Sequence, residues 1–298
     1  MIEIKNLVKR FDTTIASNNL TLNLDEGIIG LVGENGAGKS TLLRLIANVI
    51  YEDEGKILID GYKNNLKEAK EKVFFLPDEP YVKNHFKIKD VFNFYSSFYS
   101  IDKDKFNRLI DIFSLPLNRK VSSFSKGMKR RLFIAISLSI KTKYLLLDEA
   151  FDGLDPLVLN TIKDEILKLK EENKVVIIAS HNINTLNLLA DRIIILYKGK
   201  LEKDGSCEDF ANELIKYQLV IKDKVINEEN LKSLNVDVIS FKKIGSIYNI
   251  VIKNDDLDFV SLINKNYNPL ILEEVPLDSE EIIMLNMMSS RKGDTINE

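Results

Sequence analysis

The sequence has a single cysteine, Cys207, so an internal disulfide is excluded. Long apolar runs are also missing: stretches such as Val175 to Ala179 are far shorter than the roughly 18 residues that a membrane-spanning helix needs. The N-terminal segment, residues 1–5, lacks the basic start and apolar run of a signal peptide. We therefore expect a chain that does not span a bilayer and that resides in the cytoplasm.

A strong net charge is likewise missing. The formal net charge is −3 at pH 7, with 29% charged and 45% hydrophobic residues, which excludes a disordered chain and gives no sign of a surface for polyanions. We therefore expect no nucleic-acid partner. The 298 residues suffice for one large domain and a small one.

Short apolar runs alternate with helical patterns in the first two thirds of the chain. Runs such as Ile28 to Val32 and Lys143 to Leu147 are typical of buried parallel strands, and Leu157 to Lys170 has the spacing of an amphipathic helix. This β-α-β order predicts an α/β domain over residues 1–205. Helical spacing between about residues 84 and 140 predicts an inserted helical lobe.

The pattern changes after Gly205. We expect a linker over residues 206–217, followed by a small α+β domain, residues 218–298, with the β-α-β-β-α-β order of a ferredoxin-like fold. We assign it to dimer stabilisation or to regulation of the first domain. The predicted elements are a strand at Leu219 to Ile221, a helix near Glu228 to Leu234, a hairpin around Gly245, a helix near Leu257 to Asn264, and a strand at Leu270 to Leu272.

The segment Gly33 to Ser40 reads GENGAGKS, follows a predicted strand and opens a helix, which is the context of a phosphate-binding P-loop. Glycines let backbone N–H groups curl around phosphate oxygens, and the helix N-terminus favours the same negative charge. Lys39 would reach the β- and γ-phosphates, while the Ser40 hydroxyl would ligate Mg²⁺. The predicted phosphate-binding residues are Gly33, Asn35, Gly36, Ala37, Gly38, Lys39, Ser40 and Thr41.

Two carboxylates end the apolar strand that runs through Leu147. Asp148 is placed to act on Mg²⁺, and Glu149 to orient or deprotonate the attacking water. In isolation such a pair is more often a surface cap. The P-loop upstream favours the catalytic reading.

At this point the chain resembles the ATP-binding-cassette (ABC) ATPases. Phe124 to Met128 occupies the place of that family's Leu-Ser-Gly-Gly-Gln signature: Ser125 and Gly127 match, whereas Lys126 and Met128 depart from it. Ser125 is also a good N-cap for the following helix. Phe151 to Asp155 resembles the family's D-loop, and His181 resembles its switch histidine. The resemblance implies a P-loop NTPase fold with a RecA-like parallel sheet, an antiparallel β subdomain and an inserted helical lobe.

Three further features of the sequence each allow two interpretations. Phe11 matches the aromatic residue on which the family stacks adenine, or it belongs to the core at a strand end. Asp78 stands where the family has glutamine, and an aspartate there could ligate Mg²⁺ through water, which adds it to Ser40 and Asp148 as a metal residue. A basic cluster could contact phosphate, but we favour a solvated helix face; its members are Lys126, Lys129, Arg130 and Arg131.

The resemblance also implies an activity, ATP hydrolysis with Lys39, Glu149 and His181 as catalytic residues. Two ATPase chains, identical or different, would pair head to tail, with each ATP between one P-loop and the other chain's Ser125 and Gly127. Integral membrane permease subunits on separate chains would contact the helical lobe, which places the chain at the inner face of the cell membrane. The lobe's aromatic residues would form either a docking groove or lobe core: Phe86, Phe92 and Tyr99.

A single cassette without a membrane span leads us to expect the motor of an exporter. The short cassette, the run Asp152 to Pro156 and the small C-terminal domain resemble bacterial exporters of drugs or peptides and self-immunity transporters, which implies peptides, antimicrobials or drugs as cargo. A cassette ATPase of DNA repair, chromosome handling or translation, not coupled to transport, is the alternative. The short segment between Lys39 and Ser125 disfavours it, since a long coiled coil does not fit there. A GTPase is a third reading, although we find no Asn-Lys-x-Asp motif for guanine.

Overall fold

The computed structural model describes residues 1–222, 224–254 and 258–292, and the chain divides into two compact units, Met1–Asp204 and Gly205–Glu298. Within the described ranges, every helix is too short or too polar to cross a membrane.

The first unit contains two sheets. The strands are β1 Ile2–Phe11, β2 Thr14–Leu24, β3 Ile28–Val32, β4 Glu54–Ile59, β5 Tyr62–Lys63, β6 Val73–Leu76, β7 Tyr144–Asp148, β8 Val175–Ala179, β9 Arg192–Tyr197 and β10 Lys200–Gly205. An antiparallel sheet has the order β2-β1-β4-β5, and a second sheet has the order β10-β9-β3-β8-β7-β6. This matches the expected pair of a parallel sheet and an antiparallel β subdomain.

Every residue of β3, β7 and β8 is buried, because these strands lie inside a sheet covered on both faces. Strand β3 pairs in parallel with β8 and β9, and β7 pairs in parallel with β8 and β6. The carboxyl ends of these strands therefore meet at one edge of the sheet. In open parallel sheets, ligands bind at that edge.

Most helices of the first unit pack against its strands. The helices of this unit are α1 Lys39–Ile46, α2 Lys67–Lys70, α3 Ile88–Ser96, α4 Lys103–Ile112, α5 Lys126–Ser139, α6 Pro156–Glu171 and α7 Ile183–Leu189, with a 3₁₀ turn at Val121–Ser123. Helices α3, α4 and α5 form the expected lobe, and α5 also packs against α6 and β6. Asp102, Ser125 and Asp155 cap α4, α5 and α6, each accepting a hydrogen bond from a backbone N–H of the first turn.

The second unit consists of α8 Cys207–Asn212, β11 Leu214–Val220, α9 Glu228–Ser233, β12 Val238–Ile244, β13 Ile247–Lys253, α10 Phe259–Tyr267, β14 Ile271–Val275 and α11 Ser279–Lys292. Its antiparallel sheet has the order β12-β13-β11-β14. From β11 to β14 the elements follow the β-α-β-β-α-β order of ferredoxin-like domains. The core of this unit includes Leu219, Ile250, Phe259 and Ile263.

The second unit differs from the sequence-based expectation at both of its ends. In place of the linker expected over 206–217, the structure has α8 and the first residues of β11. Helix α8 begins with a capping box between Ser206 and Asp209. It buries only Phe210, so its sequence has no repeated apolar spacing from which a helix could be predicted. Helix α11 was not predicted. The helix expected from Leu257 begins at Phe259, and Leu257 itself lies outside the described residues.

Candidate functional site

Four loops at the carboxyl edge of the parallel sheet carry most of the predicted site residues. Strand β3 runs into the P-loop, β6 precedes Asp78, β7 ends at Asp148 beside Glu149, and His181 follows β8. Because β3, β8, β7 and β6 are neighbours in that order, residues from distant parts of the sequence meet here.

The P-loop requires glycine at Gly38, whose φ of +104° is disfavoured for residues with a side chain. A Cβ at this position would also collide with the Ala16 carbonyl oxygen. Lys39 follows at the start of α1 and is 6% exposed. Its Nζ donates to the carbonyl oxygens of Gly33 at 2.6 Å and Glu34 at 3.1 Å, so the ammonium lies within the curve of the loop.

Burial lowers the pKa of Lys39, while the negative charges of Glu149 and Asp148 oppose that shift. Among the described residues, no carboxylate lies within ion-pair distance of the Lys39 ammonium. A phosphate bound there would therefore form a strong ion pair with it, because the ammonium is already largely shielded from water.

A cleft of about 390 Å³ opens over the P-loop. Its lining combines the end of β1, the start of β2, the loop and a carboxylate: Phe11, Thr14, Ala16, Glu34 to Thr41, and Glu149. Phe11 is 46% exposed, and the Lys9 ammonium lies 5.3 Å from its ring centroid. An exposed ring at the rim of the cleft favours the adenine-stacking interpretation of Phe11 over a place in the core.

Ser40 and Asp148 form a pair of oxygen donors beneath the loop. The Ser40 hydroxyl donates to Asp148 Oδ1 at 2.8 Å, and the Asp148 side chain is almost fully buried. Burial raises the pKa of Asp148, although the bond from Ser40 opposes this. Asp148 Oδ2 is buried and has no hydrogen-bond partner in the part of the chain that the structure describes. Hard oxygen donors with an unsatisfied buried carboxylate atom fit a Mg²⁺ ion.

Glu149 and His181 form the second pair. Glu149 has φ +48°, a left-handed conformation that is uncommon for a residue with a side chain, and its N–H donates to Ala179 O at 2.8 Å. His181 contacts Glu149 Oε2 twice, through Nδ1 at 3.0 Å and through its backbone N–H at 3.3 Å. The structure therefore fixes the Glu149 carboxylate at the end of the cleft.

Ser125 and Gly127 are not among the residues that line the P-loop cleft. Ser125 is exposed at the N-cap of α5, where its hydroxyl accepts from the Met128 N–H at 3.2 Å. A Cβ on Gly127 would meet nothing within 4 Å. This helix end is open, and its positive dipole favours an anion.

Arg130 departs from the sequence-based expectation of a solvated helix face, and it contacts Asp78. Asp78 Oδ1 accepts from Arg130 Nη2 at 2.5 Å, so in this structure the carboxylate expected near Mg²⁺ is paired with an arginine of the basic cluster. Arg130 is 9% exposed and not on a solvated face. Its Nη1 donates to the Asp152 carbonyl oxygen and lies 3.4 Å from Asp152 Oδ2. Sequence reasoning missed this contact.

A signal for the burial of Arg130 was present, since Phe133 and Ile134 follow it at helical spacing on the buried side of α5. The other members of the cluster differ. Arg131 pairs with the exposed Asp155 at 2.6 Å, while Lys126 and Lys129 line a separate cleft of about 400 Å³ beside Asp78.

The aromatic residues Phe92 and Tyr99 of the helical lobe fit the second of the two expected alternatives, lobe core. Phe92 packs on the buried Phe106 at 4.9 Å between ring centroids, and Tyr99 packs on Phe74 at 5.2 Å, which supports the lobe-core interpretation for both. The strongly exposed rings of α3 and its end are instead Phe94 and Phe98, which contact each other at 5.4 Å.

Comparison with protein families and curated proteins gives consistent matches. Residues 17–152 match the family model described as ABC transporter. An uncharacterized ABC transporter ATP-binding protein of Methanocaldococcus jannaschii is 30% identical over 81% of this chain and 94% of that protein. The lantibiotic transport ATP-binding protein SrtF of Streptococcus pyogenes is 30% identical over 75% of this chain and all of that protein. The ABC transporter ATP-binding protein YtrB of Bacillus subtilis is 27% identical over 98% of this chain.

Solved structures resemble about 70% of this chain. A dimeric ATP-binding cassette in a post-hydrolysis state, bound to ADP and Pi, is 25% identical with a TM-score of 0.62, over 69% of this chain and 98% of that one. An ATP-binding subunit of an ABC transporter shares the fold with a TM-score of 0.65 at 24% identity, over 70% of this chain and 91% of that one.

Proposed function

This chain belongs to the ABC transporter family of ATP-binding proteins, and from that premise we propose that it powers a membrane exporter of peptides, antimicrobials or drugs. The family binds and hydrolyses ATP. What remains to be assigned is which residues of this chain perform the steps and what the hydrolysis drives.

The observation that carries the proposal is the pairing of Ser40 with Asp148 and of His181 with Glu149 at the edge of the P-loop cleft. Ser40 and Asp148 would hold Mg²⁺, which neutralises phosphate charge. Lys39 would exchange its bonds to loop carbonyls for bonds to the β- and γ-phosphates. Glu149, held by His181, would orient the attacking water and accept its proton.

A second cassette completes the site. Ser125 and Gly127 lie outside the P-loop cleft of their own chain, and the helix end that they form is open to an anion. The dimeric cassette of similar fold supports a pairing in which these residues contact the ATP of a partner chain.

Membrane permease subunits are the proposed partners to which this chain transmits the energy of ATP hydrolysis. The exposed rings of Phe94 and Phe98 on the helical lobe offer an apolar contact for such a partner, which would hold the chain at the inner face of the membrane. The similarity to the lantibiotic transport protein SrtF supports export, and it supports peptide-like cargo more than other classes.

The replacement Glu149→Gln tests the assignment of the catalytic residues. It keeps the size of the side chain but removes the base, so we expect ATP turnover by the purified chain, with its permease, to fall by about 10²–10⁴-fold while ATP binding is retained. Glu171→Gln, an exposed change at the end of α6, is the control and should leave turnover unchanged. Normal turnover by Glu149→Gln would refute the role of Glu149.

The export proposal needs a cellular readout. A strain whose only copy carries Glu149→Gln should lose tolerance to lantibiotic-class peptides, or should retain a peptide that the parent strain secretes. Unchanged tolerance and secretion, with turnover abolished, would reject this cargo class and leave the ATPase assignment intact.

A further inference from the structure

The Phe11 ring lies at the rim of the P-loop cleft, where the core covers only part of it. Phe11 is the last residue of β1 and pairs with Thr14 across a two-residue turn, and both side chains line the cleft. The ring is 46% exposed. A side chain that is ordered only when a ligand arrives lowers the affinity for that ligand, because the lost freedom must be offset by the new contacts. A contact that orders the ring beforehand would remove this cost.

The Lys9 side chain makes such a contact. Its ammonium lies over the Phe11 ring, 5.3 Å from the ring centroid, which is within the range of a cation–π interaction. The Lys9 side chain is only 15% exposed, and partial shielding from water strengthens this kind of interaction. Lys9 is not among the residues that line the cleft. With the ammonium over one face of the ring, the opposite face remains for a flat ligand in the cleft.

Asp53 fixes the Lys9 ammonium in place. Asp53 Oδ1 accepts a hydrogen bond from Lys9 Nζ at 2.9 Å, and Asp53 Oδ2 accepts one from the Arg10 backbone N–H at 2.6 Å. The Asp53 N–H donates to the Val8 carbonyl oxygen at 2.9 Å. The bond from Lys9, followed by the bond from Arg10, lowers the pKa of Asp53. The residue that precedes β4 is therefore tied at three points to the end of the strand that carries Phe11.

We propose that Lys9 is a positioning residue for the base of ATP and that it acts through the Phe11 ring. Asp53 holds the Lys9 ammonium, the ammonium holds one face of the ring, and the base stacks on the other face. The cation also draws π electrons toward itself, so the face left for the base repels the π electrons of adenine less. This inference rests on the nucleotide cleft of the proposed function.

The first test compares a ligand that has a base with one that has none. Calorimetry on the full chain, in EDTA so that ATP is not hydrolysed, gives the Kd of ATP and of inorganic tripolyphosphate. Lys9→Met keeps the aliphatic stem and removes the charge, so the Kd of ATP should rise about threefold to tenfold while the Kd of tripolyphosphate stays at the wild-type value. Lys56→Met, at an exposed position of the adjacent strand β4, is the matched control and should change neither.

Two results of this comparison overturn the inference. One is an unchanged affinity of Lys9→Met for ATP. The other is an equal loss of affinity for tripolyphosphate, because Lys9 would then act on the phosphates or on the fold as a whole and not on the base.

Variants of the ring and of the cation distinguish positioning from support of the fold. Lys9→Arg keeps a cation for the ring, so it should bind ATP within about twofold of the wild type. Phe11→Ala should raise the Kd of ATP about tenfold, since stacking on an aromatic ring contributes affinity of that order, and adding Lys9→Met should raise it no further. Equal losses for Lys9→Arg and Lys9→Met, or a further threefold loss in the Phe11→Ala chain, would contradict the inference.

Asp53→Asn tests the hold on the ammonium. The amide oxygen can still accept from the Arg10 N–H, but the charge that attracts Lys9 is gone, so the Kd of ATP should rise about twofold to fivefold. Wild-type affinity of this variant would overturn the role given to Asp53.

Turnover with the permease separates this inference from the proposed function. Lys9→Met should raise the KM for ATP and leave kcat close to that of the wild type, because Lys9 acts on the base and not on the attacking water; a fall in kcat at constant KM would overturn the inference. A wild-type chain that binds no ATP would refute the nucleotide cleft itself. A wild-type chain that binds ATP with an affinity independent of Lys9 would refute only the inference.

Discussion

Arg130 connects loops that the sequence does not place together. It binds Asp78 after β6 and the backbone and side chain of Asp152 after β7. Asp152 Oδ1 in turn lies 3.9 Å from His181 Nε2, and His181 binds Glu149. A largely buried guanidinium with fixed geometry thus holds the loop that supports the predicted base.

We expect a double-mutant cycle to detect this coupling. Asp78→Asn should reduce the free energy of unfolding by about 1–2 kcal/mol, because a nearly buried arginine loses a charge-assisted hydrogen bond. Arg130→Gln should cost a similar amount, and the double variant should cost less than the sum by about 1 kcal/mol. Denaturant unfolding of the wild type, the two single variants and the double variant measures these free energies. ATP turnover should fall for both single variants with little change in KM, since Arg130 acts through Asp152 and not on ATP.

The neighbouring Arg131 supplies the matched control for the cycle. It pairs with Asp155, whose side chain is 44% exposed, so Arg131→Gln should cost less than about 1 kcal/mol. Strict additivity of Asp78→Asn and Arg130→Gln would show that the contact has no energetic consequence.

At the scale of elements, Glu165 links helix α6 to helix α4. Its side chain is almost fully buried, and it accepts two hydrogen bonds from Arg108, at 3.0 and 2.8 Å, and one from Lys168 at 2.7 Å. Burial by itself would raise the pKa of Glu165. The bonds from Arg108 and Lys168 outweigh it and lower the pKa from the ordinary 4.5 to about 2.

This lowered pKa predicts a loss of stability in acid. The ionised Glu165 stabilises the folded chain at pH values above 4.5, and the contribution disappears as the pH falls from 4.5 through about 2. Arg108 and Lys168 are about half exposed, so solvent screening leaves on the order of 2 kcal/mol. Glu165→Gln should therefore be less stable than the wild type at pH 7, and the difference should shrink at pH 3. Unfolding curves at both pH values test this, and a constant difference would contradict it.

Elements with a clear pattern of apolar residues were predictable from the sequence, and elements held by tertiary contacts were not. The buried runs of β3, β7 and β8 and the cap at Ser125 follow from local sequence, because strands covered on both faces must be continuously apolar. Helix α8 buries a single ring and shows no period. The bond between Asp78 and Arg130 could not be predicted from local sequence, because the two residues are 52 positions apart along the chain.

At the scale of the whole molecule, the site residues fall into two groups. The P-loop, Asp148, Glu149 and His181 converge at one sheet edge, whereas Ser125 and Gly127 stay outside that cleft. If ATP needs both groups, one chain offers half of each of two sites. Two chains related by a two-fold axis would then complete both sites at once.

Mixing two inactive chains tests this division directly. Lys39→Ala removes the phosphate-binding ammonium, and Ser125→Arg blocks the open end of α5, so each variant alone should lack ATP turnover. A mixed dimer pairs the intact P-loop of one variant with the intact Ser125 of the other. An equimolar mixture should therefore recover up to about a quarter of wild-type turnover, because half of the dimers are mixed and each keeps one of its two sites.

A chain carrying both substitutions, mixed with Lys39→Ala, is the control and should stay inactive. No recovery in the first mixture would mean either that both sites must hydrolyse ATP together or that each chain uses its own Ser125. A dimer of one wild-type chain and one doubly substituted chain distinguishes these two explanations. That dimer should be inactive if both sites must act together, and active if each chain uses its own Ser125.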